Sequence, residues 1–135
     1  MTVRVGDVMT APVLTTTPRT EAADAALVIG LREITALPVL DDGRLVGMFT
    51  EADLLRCQRA AGRSDLLVED VMVPVALVTT PGCDPAELAQ VMRRRQVWTV
   101  PVLENGRLVG IITGNDLRAR SDHPRVGTNR IAFGQ

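Results

Sequence analysis

A threonine followed three residues later by an aspartate occurs twice in closely matching surroundings, as T-E-A-D at Thr50–Asp53 and T-G-N-D at Thr113–Asp116. Each closes a longer pattern, G-R-L-V-G-x-x-T-x-x-D-L, that starts at Gly43 and again at Gly106. Two chemistries fit this spacing. At the head of a helix, threonine at the N-cap and an acid at N3 make a capping box, although Glu or Gln is the better N3 residue. The negative charge near a helix N-terminus adds about 0.3–1 kcal/mol. Alternatively, an ionised carboxylate offers only acceptors, which suits the two hydroxyls of a vicinal diol such as a ribose 2′,3′ pair, with threonine beside it. Residue types and spacing leave these two readings evenly balanced.

Other chemistry finds little support. The one histidine, His123, sits in a Pro-adjacent tail and reads as solvated. One His with Cys57 and Cys83 cannot close a zinc site, and cysteines without C-x-x-C spacing read as a reduced intracellular pair. The chain has no G-x-S-x-G, H-E-x-x-H or G-x-x-x-x-G-K-[ST]. Gly43 and Gly47 do not make a phosphate loop, because Gly43 belongs to a hairpin turn and no lysine follows. Asp53 and Asp116 each have a threonine but no histidine partner, so acid–base catalysis is not expected. The expectation is a protein that is not an enzyme.

Bulk composition narrows the partners. Fifteen basic residues against sixteen acidic give a net charge of −1, so no global field draws the chain to nucleic acid or anionic lipid. The run Arg93–Arg95 reads as the solvated face of a helix, and one Trp, two Phe and no Tyr leave little for base stacking. No apolar run reaches the ~18–20 residues of a membrane span. The opening MTVRVGDVMT lacks a basic start leading into an apolar run. The expectation is a soluble, cytoplasmic protein. At 46% hydrophobic and 2% aromatic, its core should be built from Val, Leu, Ile, Ala and Met.

The elements that position the Thr/Asp pairs follow from an internal duplication. One constant offset, without gaps, aligns Asp7-Val8-Met9 with Asp70-Val71-Met72, Thr17-Pro18 with Thr80-Pro81, and Pro38–Leu40 with Pro101–Leu103. The same offset aligns Gly43–Gly47 with Gly106–Gly110 and Asp53-Leu54 with Asp116-Leu117. Each copy reads as β-α-β-β-α. A short element at Val8-Met9 precedes an extended piece, Val13–Thr15 or Val75–Thr79. A helix follows, with Thr20 as N-cap and Ala25, Val28 and Ile29 on one face. Its counterpart has Leu88, Val91 and Met92 on that face and Pro85 early in the helix, where proline is tolerated. Gly30 should cost that first helix about 1 kcal/mol relative to alanine. Ala36–Leu40 with Leu45–Phe49, and Val100–Leu103 with Leu108–Ile112, read as hairpins turned by Asp42-Gly43 and Asn105-Gly106. The last helix of each copy starts after Thr50 or Thr113. The polar stretch Gln58–Ser64 links the copies, and the tail from Ser121 is read as frayed or held in a contact.

The repeat resembles the CBS domain, the cystathionine β-synthase module that occurs in tandem pairs. The matching residues are D-V-M at Asp7 and Asp70, T-x-P near Pro18, L-P-V-L at Leu37, V-P-V-L at Val100, and G-x-x-T-x-x-D-L at Gly47 and Gly110. The resemblance implies an α/β fold of two CBS repeats, 5–58 and 68–121, with a polar tail at 122–135. It implies that the repeats pack with pseudo-twofold symmetry into a disc that homodimerises. It further implies two clefts for an adenosine-containing ligand, AMP, ADP, ATP or S-adenosylmethionine, and no required cofactor. The aspartate of T-x-x-D would hold the ribose. Carried over, Thr50 and Asp53 would line one cleft with Val73, Pro74, Val97, Trp98 and Thr99. Thr113 and Asp116 would line the other with Thr10, Ala11, Ile34, Thr35 and Ala36. Relatives that bind nucleotides often place a His or Arg before the Pro-Val strand to face the phosphates. Here Thr35-Ala36 and Trp98-Thr99 stand there, so charge must come from Arg56, Arg118 or Arg120, or the ligand is less anionic. The expected role is a regulatory sensor acting on a separate effector protein. The alternative is a scaffold with empty clefts that acts through homodimerisation.

Overall fold

The computed structural model describes residues 2–122. His123 and the rest of the tail lie outside them. The chain is mixed α/β, as expected: α1 (Val5–Val8), α2 (Ala22–Arg32), β1 (Leu37–Asp41), β2 (Arg44–Phe49), α3 (Glu51–Ala61), α4 (Val68–Val71), α5 (Pro85–Arg95), β3 (Thr99–Glu104), β4 (Arg107–Thr113) and α6 (Gly114–Asp122). Strands pair as two antiparallel hairpins, β1 with β2 and β3 with β4. Each hairpin turns through two residues of positive φ, Asp42 and Gly43 at 55° and 80°, Asn105 and Gly106 at 53° and 79°. Asn, Asp and Gly tolerate this conformation best, which is why the turns were legible.

The described chain divides into two compact units, 14–75 and the combination of 2–13 with 76–122. These do not follow the sequence repeats, because the first element of each copy belongs with the hairpin of the other. In the second unit, Val5 and Val8 of α1 form one apolar cluster with Leu88, Met92, Val100 and Ile112. Thr10 there bridges Ile111, exchanging backbone bonds of 2.8 and 3.0 Å. In the first unit, α4 packs with α2 and α3, and Val73 bridges Met48 through two backbone bonds of 2.9 Å.

This arrangement explains D-V-M and the second glycine of G-R-L-V-G together. Asp7 accepts from the Arg4 backbone N–H at 2.8 Å and Asp70 from that of Leu67 at 2.9 Å, each closing a one-turn helix. The methionine that follows then seats over a strand glycine. A Cβ on Gly110 would lie 2.3 Å from Met9 Sδ, and one on Gly47 would lie 3.0 Å from Met72 Sδ and from the Val73 carbonyl.

Several local readings change. The short element at Val8-Met9 is the end of α1, with Met9 as its C-cap. The extended pieces Val13–Thr15 and Val75–Thr79 are reduced to single parallel bridges, Thr16 to Val39 and Thr79 to Val102. Helix α2 is capped by Glu21 rather than Thr20, whose hydroxyl instead pairs with that of Thr17 at 2.8 Å. Ala25 and Ile29 are buried but Val28 is 37% exposed, because the buried stripe of α2 runs through Ala22 instead. Gln58–Ala61 belongs to α3, which ends only at Gly62 in the left-handed conformation. The core also takes an aromatic, since Phe49 is the largest fully buried side chain. No helix among the described residues is long and apolar enough to cross a membrane.

Candidate functional site

Both T-x-x-D elements stand where a hairpin's second strand turns into a helix. Thr50 leaves β2 in extended conformation and is the N-cap of α3. Its Oγ1 accepts from the Asp53 backbone N–H at 3.1 Å and donates to Asp53 Oδ2 at 2.7 Å. The other carboxylate oxygen, Oδ1, accepts from Arg56 Nη2 at 2.5 Å. The Asp53 side chain is 14% exposed, so the acceptor meets solvent. The neighbouring carboxylate raises the Arg56 guanidinium above its ordinary pKa, by hydrogen bond first and charge second.

The second pair is built differently. Asp116 Oδ2 accepts from both the Thr113 backbone N–H at 3.0 Å and Thr113 Oγ1 at 3.2 Å, while Thr113 Oγ1 accepts from the Asp116 N–H at 3.2 Å. Both residues are buried, Asp116 completely. This is a capping box with aspartate in place of the commoner glutamate.

The hairpins place each of the other expected site residues in one unit or the other. In a hairpin, the residue before the first strand lies opposite the residue after the second. Leu37 pairs with Phe49, which brings Ile34, Thr35 and Ala36 to the Thr50 end of β2. Thr99 pairs with Thr113, and Gly114 N–H donates to the Trp98 carbonyl at 3.0 Å, which brings Val97, Trp98 and Thr99 to the other pair. Asp53 therefore shares its unit with Val73, Pro74, Ile34, Thr35 and Ala36. Asp116 shares its unit with Thr10, Ala11, Val97, Trp98 and Thr99.

Of the candidate cations, Arg56 holds Asp53, and Arg118 lies over the Trp98 ring with its guanidinium carbon 5.0 Å from the centroid. Arg118 also donates to Asn115 Oδ1. The Arg120 side chain lies outside the described part of the structure. Trp98 is 46% exposed, and its ring rests on Gly114, where a Cβ would come within 2.4 Å. This contact went unread in the sequence, although Gly114 standing where the first copy has Glu51 was a signal. Among the described residues, no group of three or more His, Cys, Asp or Glu could hold a metal ion.

Comparison with known proteins accounts for the duplication. The CBS domain profile matches residues 5–60 and 68–122. The chain is 31% identical over 114 residues to the CBS domain-containing protein YhcV of Bacillus subtilis, covering 84% of this chain and 81% of that protein. It is 30% identical over 113 residues to inosine-5'-monophosphate dehydrogenase of Korarchaeum cryptofilum, covering 83% of this chain but only 23% of the dehydrogenase. Among solved structures, CBSX2 in complex with AMP superposes with a TM-score of 0.78 at 27% identity, covering 91% of this chain and 99% of that one. Two matched repeats, two hairpins ending in T-x-x-D and a relative of nearly the same extent agree: the chain belongs to the CBS-domain family.

Proposed function

We propose that the protein is a regulatory sensor that binds an adenosine-containing ligand through the Asp53 carboxylate of its first T-x-x-D and carries no catalytic activity of its own. The observation that carries this reading is the Asp53 carboxylate. It is pre-oriented by Thr50, partly open to solvent, and bordered by a cation in Arg56. Such a group can accept both hydroxyls of a ribose. The AMP bound to CBSX2 supports the choice of ligand class. S-adenosylmethionine, ADP and ATP fit the same diol chemistry and differ in the charge they bring. The exposed Leu27, Leu31 and Leu55 on α2 and α3 support self-association as a homodimer, with a separate effector protein downstream.

A second reading is favoured by the complete burial of Asp116. There the threonine and aspartate satisfy each other as a cap, and a scaffold without ligand would need nothing more. Calorimetry with AMP, ADP, ATP, adenosine and S-adenosylmethionine, on the wild type and on Asp53→Ala, separates the two. Saturable heat that Asp53→Ala abolishes supports the sensor; absence of heat with every ligand leaves the scaffold.

A further inference from the structure

A hollow of about 450 Å³ opens between the last turn of α5, the segment Val97–Trp98 and the start of α6. That volume lies within the range of small-molecule sites, ~300–1,000 Å³. Its floor is apolar, formed by Ala89, Met92, Val97 and Leu117, and Trp98, Arg93 and Arg118 stand around it. Among the described residues, neither Thr113 nor Asp116 lines it, nor does any other carboxylate.

The duplication provides an internal control. At the floor, the positions matching Ala89, Met92, Val97 and Leu117 are Ala26, Ile29, Ile34 and Leu54, all still small or aliphatic. Around the hollow, the positions matching Arg93, Gln96, Trp98, Gly114 and Arg118 are Gly30, Glu33, Thr35, Glu51 and Leu55. Core packing accounts for the retained floor. It does not account for five changes that gather on one hollow, bring in two cations and an indole, and remove two acids. The Gly114 change makes the Trp98 position possible, since any side chain there would meet the ring.

We propose that this hollow binds a planar aromatic anion, with its ring against the indole of Trp98 and the apolar floor and its carboxylate or phosphate on Arg118 and Arg93. An aromatic body suits the indole and the methionine, and guanidinium groups recognise planar oxyanions with more geometric specificity than an ammonium. The hollow shares Val97, Trp98 and Arg118 with the residues expected for an adenosine ligand, but it lacks Thr113 and Asp116 and needs no diol, so the T-x-x-D reading can fail without it.

Trp98 is the one tryptophan of the chain, so the single indole N–H resonance reports on the hollow directly. The test titrates the full chain with 2-naphthoate and with its neutral isostere 2-naphthamide while following that resonance. The expected result is a saturable shift with naphthoate and binding weaker by about tenfold or more with naphthamide. Arg118→Gln should cut naphthoate affinity by about fivefold while leaving naphthamide unchanged. Arg93→Gln should act in the same direction, and it serves as the second variant if Arg118→Gln disturbs the remaining spectrum. Gly114→Glu, which restores the residue of the first copy, should abolish both titrations. No saturable shift, equal affinity for acid and amide, or wild-type binding in both arginine variants would each overturn the proposal.

Discussion

Arg56 donates to Asp53 at 2.5 Å, and the position matching Arg56 in the second copy is Ala119. Asp53 thus carries a counter-cation on the same helix face, three residues on. A ligand diol approaching Asp53 must share the carboxylate with that guanidinium, while an anionic ligand finds the guanidinium in place. The expected outcome of Arg56→Ala is adenosine binding strengthened roughly twofold to fivefold and AMP binding weakened relative to adenosine. Parallel titrations of the two ligands by calorimetry measure the change.

The two aspartates should differ in what they cost. Asp116 is completely buried and satisfies two donors of Thr113, so Asp116→Ala leaves them stranded, at a cost of about 1–3 kcal/mol. Asp53 is partly exposed at N3 of α3, and its loss should cost about 0.5–1.5 kcal/mol, the net worth of an ordinary hydrogen bond. Urea denaturation of both variants gives the ordering. Adenosine binding should vanish in Asp53→Ala and persist in Asp116→Ala under conditions where the latter remains folded.

Gly110 and Met9 should behave as one unit. Adding a Cβ at Gly110 forces Met9 aside, so Gly110→Ala should destabilise by about 1–3 kcal/mol. Met9→Ala removes the obstructing atoms, and the double variant should be more stable than the sum of the single effects predicts, by about 1 kcal/mol. A double-mutant cycle from denaturant midpoints measures that coupling. Strict additivity would mean that the glycine serves some other purpose.

Cys83 is the thiol to watch across pH. Hydrogen bonds from the Thr79 side chain first, and then from Thr80, favour the thiolate and lower its pKa below the ordinary thiol value. The Thr80 hydroxyl lies 3.3 Å from the sulfur. A pKa lowered in the folded state means that the unfolded chain binds more protons between the two values. Stability therefore rises with pH through that window, and the gain is lost as pH falls through the lowered value. Alkylation of Cys83 followed by peptide mass spectrometry should show a midpoint below that of a free thiol. Cys83→Ser should flatten the rise in urea midpoint over the pH range just below the ordinary thiol pKa.

Much of the architecture was legible because it rests on local rules. Asp42-Gly43 and Asn105-Gly106 announce their turns, since few other residues accept the backbone conformation. The constant offset between copies identifies a repeated unit, and Thr50 at the head of α3 is where a capping residue should stand. The burial of Val28 was misjudged because a helical stripe can be drawn through Ala22, Ala25 and Ile29 as well as through Val28, and only packing selects one. Thr20 was a reasonable N-cap until its hydroxyl was found committed to Thr17.

By itself, the sequence determined that a β-α-β-β-α unit is written twice, where each hairpin turns, and that Thr and Asp head the last helix of each copy. These depend on neighbours within a few residues, where backbone sterics and hydrogen-bond reach decide. Only the tertiary structure decided that α1 packs with the hairpin of the second copy and α4 with that of the first, because matching D-V-M motifs fit either glycine-bearing strand equally well on paper. The tertiary structure also decided that Asp53 meets solvent beside Arg56 while Asp116 is buried, and that Trp98 lies on Gly114 beneath Arg118. Burial and ring contacts depend on which surfaces close over a residue, and in this chain the residues that close over one another are far apart in sequence.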